Sequence, residues 1–303
     1  MKNRKYFLSI LLVTLAILGA ATAAQAAGYK FKFHDTKAPG ANETDAYAVN
    51  NSGKIAGDYL DSANAIHGMI LKGKTLTTID DPNGSSTIGQ GINSKGVVVG
   101  YYTNTKTGII TGFKYSKGTF TDIAPKGAIE TEASGVDTKG HVVGVYVDSA
   151  GVTHGFYLSG KKFKKLDISG AQANYGWGIN DSGLITGYQI TSAGGYEGWT
   201  TSDLGKTYTN VNDPNAGSTG TVCHTPDTNG DVVGTYFDST PIAHGFLLIG
   251  GNFYNFDDPK APQGGPGTRG DGLNDKSNIV GRYGAGPNGG NGGYGFEATY
   301  SPN

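Results

Sequence analysis

The chain has 303 residues, of which 51 are Gly and 49 (24 plus 25) are charged, so Gly is about 17% where roughly 7% is usual and charge is 16% where about 25% is usual. Gly at that level disfavours helix interiors, and 18 Tyr and 12 Phe among many Val, Ile and Thr favour strands and turns. Collagen is excluded because the glycines have no period of three, and disorder because an aromatic fraction of 11% with a formal net charge of −1 reverses the disordered signature.

In chain order, Lys2, Arg4 and Lys5 precede an apolar run from Tyr6 to Leu18 and small residues ending in Ala24-Gln25-Ala26. This is the pattern of a secretory signal peptide over residues 1–26, and its run is short of the roughly 20 residues that cross a bilayer as a helix. Its removal takes three positive charges and leaves 21 Lys plus Arg against 25 Asp plus Glu, net −4, so residues 27–303 offer no basic patch for nucleic acid. No later segment is apolar enough to span a membrane. Cys223 is the only cysteine, which leaves no internal disulfide.

An internal repeat organises the rest. Its core reads Ala48-Val-Asn-Asn-Ser-Gly53, Gly91-Ile-Asn-Ser-Lys-Gly96, Gly135-Val-Asp-Thr-Lys-Gly140, Gly178-Ile-Asn-Asp-Ser-Gly183, Thr225-Pro-Asp-Thr-Asn-Gly230 and Gly272-Leu-Asn-Asp-Lys-Ser277, at spacings of 43, 44, 43, 47 and 47. A period of this length built from short alternating segments is that of a four-stranded propeller blade. The first strand of each unit is a short segment such as Asp45 to Asn50, ended by an Asn/Asp-x-x-Gly turn. The second is Val-Val-Gly-x-Tyr, as in Val97 to Tyr102 or Val232 to Tyr236; the third is His-Gly-Phe, as in His154 to Leu158 or His244 to Leu248. The fourth is an alternating segment such as Leu76 to Asp80, Phe163 to Asp167 or Phe253 to Asp257, often stopped by Asp-Pro.

The sixth unit supplies three strands, the last from Tyr294 to Tyr300, and then the chain stops. The segment Phe31-Lys-Phe-His-Asp35 matches Phe163-Lys-Lys-Leu-Asp167 and Phe253-Tyr-Asn-Phe-Asp257. The expected fold is therefore all-β, a six-bladed propeller with four strands per blade, in which residues 30–35 complete the last blade and remove the open sheet edges.

The repeats Gly-Ile-Asn-x-x-Gly-x-Val-Val-Gly-x-Tyr followed by His-Gly-Phe resemble the HAF-type extracellular repeats of bacteria, with Gly68, Gly155 and Gly245 in place of the Ala of that family's tripeptide. The resemblance covers essentially the whole chain after the signal peptide. It implies an exported β-repeat protein, and brings no defined reaction or catalytic set with it.

His67, His154 and His244 share one repeat position, filled by Thr111, Glu197 and Tyr294 in the alternate units. Three such histidines suggest a His₃ metal site, but strand three lies far from the axis, and the expectation is a structural His bonded to a loop of its own blade. The position read as opening the first strand varies while its neighbours repeat: Tyr47, Gln90, Ser134, Trp177, His224 and Asp271. These six should ring a channel mouth, with Glu43, Glu130, Glu132, Tyr175 and Arg269 in the adjoining linkers. Arg269 and Arg282 are the only arginines after the signal peptide. They either hold a ligand carboxylate or pair locally, Arg269 with Asp271.

No G-x-S-x-G, H-E-x-x-H or C-x-x-C occurs, and no cofactor or metal is implied. The G-x-G-x-x-G matches at Gly265, Gly284 and Gly290 follow from Gly-rich composition, and Asp227-Thr-Asn-Gly-Asp231 is turn chemistry rather than a calcium loop. Cys223 and His224, adjacent on a strand, point to opposite faces.

The expected function is a secreted or periplasmic, monomeric binding or scaffold protein. It takes a glycan or an extracellular protein at the channel mouth through Tyr47, Gln90, Ser134, Trp177, His224, Arg269, Asp271 and Arg282, with Tyr47, Tyr175 and Trp177 as exposed stacking surfaces. The alternative is a lyase or hydrolase on acidic glycans, with His224 as base, Tyr236 or Tyr283 as acid, and Asp271 and an arginine beside them. A purely structural surface protein is the third reading.

Overall fold

The computed structural model describes residues 28–284 and 293–303; the expected signal peptide, and most of the Gly284 and Gly290 matches, lie outside them. Every regular element among the described residues is a strand. After β1 (Tyr29–Asp35) comes β2 (Glu43–Val49), β3 (Ile55–Leu60), β4 (Ile66–Lys72) and β5 (Thr75–Thr78). The second meander is β6 (Gly84–Ile92), β7 (Val98–Asn104), β8 (Ile110–Ser116) and β9 (Thr119–Ile123); the third is β10 (Ala128–Val136), β11 (Val142–Asp148), β12 (Thr153–Ser159) and β13 (Lys162–Lys165). The fourth is β14 (Ala173–Ile179), β15 (Ile185–Ile190), β16 (Tyr196–Thr201) and β17 (Thr209–Val211), and the fifth is β18 (Gly220–Pro226), β19 (Val232–Phe237), β20 (Ala243–Ile249) and β21 (Asn252–Phe256). Last come β22 (Thr268–Leu273), β23 (Asn278–Tyr283) and β24 (Tyr294–Pro302).

Within each meander the strands pair antiparallel in sequence order, and β1 runs antiparallel along β24, with Phe31 opposite Tyr300 and Asp35 opposite Phe296. Phe31 lies 4.9 Å from Phe256 and Phe33 lies 5.3 Å from Phe296, ring to ring, so β1 joins the core between the fifth and last meanders. Neighbouring meanders meet through single parallel bridges at Thr44 and Tyr294, Tyr196 and Gly220, and Ala243 and Gly267. Each inner strand packs on the next, β2 on β6, β6 on β10 and so on to β22, which packs on β2.

The second strands show why this sequence folds so. Both valines of Val-Val-Gly are buried, Val98 and Val99 in one meander and Val142 and Val143 in the next, because each face of a meander packs on a neighbour. The glycine that follows has a separate cause. A Cβ on Gly100 would collide with the carbonyl of Ile88, and one on Gly187 with that of Tyr175, because the inner strand closes onto it.

The Asn/Asp of each turn does two jobs. Asn93 Oδ1 accepts from the backbone N–H groups of Lys95 and Val97, both at 3.0 Å, which shapes the hairpin. Its Nδ2 donates to Asp137 O of the next meander at 2.8 Å, as Asn50 does to Asn93 O at 2.9 Å. Asp at 137 has no amide to donate, and the step is carried by Thr138 N–H to Asp181 Oδ1 at 2.7 Å.

Candidate functional site

The six variable residues correct their expected placement. They do not open the inner strands, which start four or more residues earlier at Glu43, Gly84, Ala128, Ala173, Gly220 and, by three residues, at Thr268. Tyr47, Gln90, Ser134, Trp177 and Asp271 each sit in a register shift against the second strand, as does His224 in the wider shift between Cys223 and Pro226. A β-bulge leaves one residue unpaired and re-aims it, so the position that varies is the one the ladder does not constrain. Gln90, Ser134 and Trp177 line a cavity of about 90 Å³ to which all six inner strands contribute, at the end that carries the Asn/Asp turns. Glu43, Glu130, Glu132, Tyr175 and Arg269, expected in linkers, are strand residues.

A second variable set was missed in the sequence. The x of Gly-x-Tyr, which reads Gly-x-Gln in the fourth unit, is Asp58, Tyr101, Val145, Tyr188, Thr235 and Arg282, and each faces, across the strand pair, the residue two before the bulge. The resulting pairs are Asp45 with Asp58, Ile88 with Tyr101, Glu132 with Val145, Tyr175 with Tyr188, Val222 with Thr235, and Arg269 with Arg282. The sequence signal was there, a changing residue between two repeated ones, but the recurring Tyr drew attention from it.

Like charges directly opposite in a sheet are unfavourable, and two of the six pairs are of that kind. The conflict is relieved between meanders. Arg282 Nη1 donates to Tyr47 Oη at 2.7 Å and lies 3.5 Å from Asp45 Oδ2, while its Nε is 3.9 Å from Asp271 Oδ2 and its guanidinium lies over the Tyr47 ring at 4.8 Å. Burial alone would weaken its charge, but Tyr47, Asp271, Asp45 and Asp58 around it hold it firmly protonated. Burial pushes Asp58 and the Tyr47 hydroxyl well above their ordinary values.

Arg269 is different. It has no hydrogen bond and no carboxylate within 4 Å among the described residues, only the Phe237 ring 5.7 Å from its guanidinium, so the expected pair with Asp271 is absent. Burial and then the neighbouring Arg282 lower its pKa, and the more distant Asp271, Tyr47 and Tyr196 offset this only in part. Glu132 is likewise without an ion pair or hydrogen bond among the described residues, and burial, then Glu130, pushes its carboxyl up to about 7.

His224 is buried, with Nδ1 donating to Gly270 O at 2.6 Å and its ring stacked on Trp177 at 4.7 Å. The same nitrogen is 3.2 Å from Asp271 Oδ1, yet with its proton aimed at the carbonyl both Asp271 oxygens stay without a hydrogen bond. Burial pulls the imidazole below its ordinary pKa despite Asp271. Buried Gln90 Oε1, Thr235 Oγ1 and Asp58 Oδ1 also lack partners. Tyr47, Tyr175 and Trp177 are half-buried rather than exposed: Arg282 covers Tyr47, His224 covers Trp177, and Tyr175 stacks on Tyr188 at 4.4 Å and 5°.

Tyr236 is not brought to His224. It packs in a core with Cys223 and Phe246 on the other side of its strand and stacks on His244 at 5.0 Å. Tyr283 is also turned outward, its hydroxyl 3.5 Å from Asp35. The three repeated histidines are loop clamps within their own meanders. His154 bonds Asp167 at 2.7 Å and Asp148 at 3.0 Å, His67 bonds Asp80 at 2.7 Å and Asp61 at 3.3 Å, and His244 does the same with Asp257 and Asp238. Cys223 is buried, and burial raises its thiol far above the ordinary range.

No family model and no curated protein matches the chain. Among solved structures, a protein described as a TolB from Agrobacterium tumefaciens aligns with a TM-score of 0.60 at 15% identity, over 91% of this chain and 99% of that one. TolB from Acinetobacter baumannii gives 0.50 at 18% identity, over 69% of this chain and 52% of that one. The fungal lectin of Aleuria aurantia, described as a six-bladed β-propeller with a fucose recognition mode, gives 0.45 at 14% identity, over 70% of this chain and 76% of that one. The Agrobacterium likeness is one of fold alone, that of an all-β protein of the β-propeller kind. No helix among the described residues is long and apolar enough to cross a membrane.

Proposed function

We propose that the chain is an exported six-bladed propeller of HAF-type repeats, four strands to a blade, in which β1 completes the last blade, and that it binds a glycan at its centre. The observation that carries this is that the non-repeating Gln90, Ser134 and Trp177 line one cavity at the centre, while buried oxygens of Gln90 and, elsewhere on the inner two strands, of Thr235, Asp58 and Asp271 are left without hydrogen-bond partners. Most of these oxygens are acceptors, which suits the hydroxyl donors of a sugar, and the faces of Trp177 and Tyr175 suit its ring.

A lyase acting on acidic glycans has less support. It would use His224 as base, but both candidate tyrosines face away, and the Arg282 charge is already engaged by Asp45. Binding of the purified protein to an array of neutral and acidic glycans, repeated with Trp177→Ala and Gln90→Ala, tests the reading. Retention lost in both variants supports it; retention unchanged in both, or none by the parent protein, overturns it. Unsaturated uronate products that disappear with His224→Ala would establish the lyase instead.

A further inference from the structure

Glu132 and Arg269, both without an ion pair or hydrogen bond among the described residues, lie on different units. In the order of inner-strand packing, β10 with Glu132 and β22 with Arg269 are third neighbours in both directions, which in a ring of six puts them on opposite sides. Both residues stand two before the bulge, so they occupy the same level of the ring. Both are partly rather than fully buried, so each keeps some surface that a ligand could reach. Between them on one arc come the stacked pair Tyr175 and Tyr188 and then the unpartnered Thr235 hydroxyl.

An uncompensated charge away from bulk water is costly, and a structure that keeps two of opposite sign apart leaves each to be neutralised from outside. The other charges nearby gather on Arg282: it is held by Asp45 and Tyr47, its Nε is 3.9 Å from Asp271, and Asp58 lies in its field, while Asp45 also takes the Gly293 N–H at 3.0 Å. Guanidinium geometry suits a carboxylate, and a carboxylate with tyrosine faces beside it suits an ammonium.

We infer that the centre recognises a zwitterionic ligand, with Arg269 taking its acidic group, Glu132 its ammonium group, and Tyr175 and Tyr188 the ring face between. This rests on the glycan reading and names the class of sugar: an amino sugar that also carries a carboxylate.

The probes are muramic acid, which has both charges, glucosamine, which has the amine alone, glucuronate, which has the carboxylate alone, and glucose. Titration calorimetry of the protein at low salt and pH 8, where the Glu132 carboxyl is ionised, should give muramic acid an affinity at least tenfold above either singly charged sugar. Arg269→Gln should reduce muramic acid to the level of glucosamine, and Glu132→Gln to the level of glucuronate. Neither variant should lower the thermal midpoint, since each removes a charge that the fold leaves uncompensated. If the four sugars bind alike, or the advantage survives both substitutions, the zwitterion inference falls while sugar binding stands. If none of the sugars binds and the glycan array is also blank, both fall. A clear loss of thermal stability in Arg269→Gln would show that its charge is structural and would also overturn the inference.

Discussion

Asn274 donates from Nδ2 to the backbone carbonyl of Asn50, 3.0 Å away and 224 residues earlier in the chain. The bond is the same one that Asn50 makes to Asn93 and Asn93 makes to Asp137, here joining the last meander to the first. Beside it Asp275 N–H donates to Asn51 Oδ1 at 3.0 Å, and Asn51 Nδ2 donates back to Asp275 Oδ2 at 2.6 Å. The repeated Asn is therefore a connector between units as well as a turn residue.

Asn274→Asp keeps the Oδ1 that accepts from Lys276 and Asn278 but removes the donor to Asn50. Leaving the buried Asn50 carbonyl unpaired and facing a carboxylate oxygen should cost about 2 kcal/mol and lower the thermal midpoint by roughly 4–8 °C. Calorimetry checks this. Asn51→Ala, which removes the partly exposed bonds to Asp275 without adding a charge, should cost less.

Removal of residues 28–35 takes β1 from β24 and with it the Phe31 and Phe33 contacts. The exposed edge of β24, a nine-residue strand, is then a template for pairing with other chains. The truncated protein should elute as dimers or aggregates in size-exclusion chromatography, and a synthetic peptide of Tyr29–Asp35 should return it to the monomer position. A truncated protein that stays monomeric without the peptide would show that the edge is covered in another way.

Much of this fold was legible because it rests on local or periodic signals. The six Asn/Asp turns, the paired valines and the likeness of Phe31–Asp35 to Phe253–Asp257 are visible in one dimension, and they placed strands and the terminal pairing. The site was legible only as variation. That Tyr47 or Trp177 sits in a bulge is a register relation between two strands, and no periodicity within one strand reports it. That Arg269 is unpaired while Arg282 is bound depends on which meander follows which in space. Sequence placed both arginines in one unit and could say no more.

Gly100 follows two buried valines at a point where the bulge carries the inner strand onto the second strand. A Cβ there would meet the Ile88 carbonyl and the Phe113 ring, neither free to move far. Gly100→Ala should cost on the order of 3 kcal/mol, as overpacking of a rigid site does, whereas Gly118→Ala in an exposed turn meets no atom and should cost only the strain of its positive φ. Denaturant unfolding of the two variants compares them directly.

The clamp of His154 predicts a change at acid pH. The Asp148 carboxyl is held at about 2 first by its bond from His154, then by the Val152 and Ala150 N–H groups. A carboxyl with a depressed folded pKa adds stability above its unfolded pKa, near 3.8, and loses it as pH falls toward 2. His154→Gln should raise the Asp148 titration toward its ordinary value, as followed by NMR. The stability difference from the parent should be largest above pH 4 and narrow toward pH 2. An Asp148 titration unmoved by the substitution would assign the shift to the backbone donors instead.

Glu132 has the opposite sign. Its folded pKa, about 7, lies above the usual 4.5, so the folded state holds a proton through this window that the unfolded chain releases. Stability is thus favoured below about 4.5 and declines as pH rises toward 7, by about 2 kcal/mol once partial exposure is allowed for. Glu132→Gln removes the titrating group, so its advantage over the parent should be absent at pH 4 and present at pH 8. Tyr101, Tyr175 and Tyr188 surround the carboxyl but do not titrate in this range, burial raising the hydroxyls further. Parallel stability curves for the two proteins between pH 4 and 8 would mean that a partner compensates the Glu132 charge in solution.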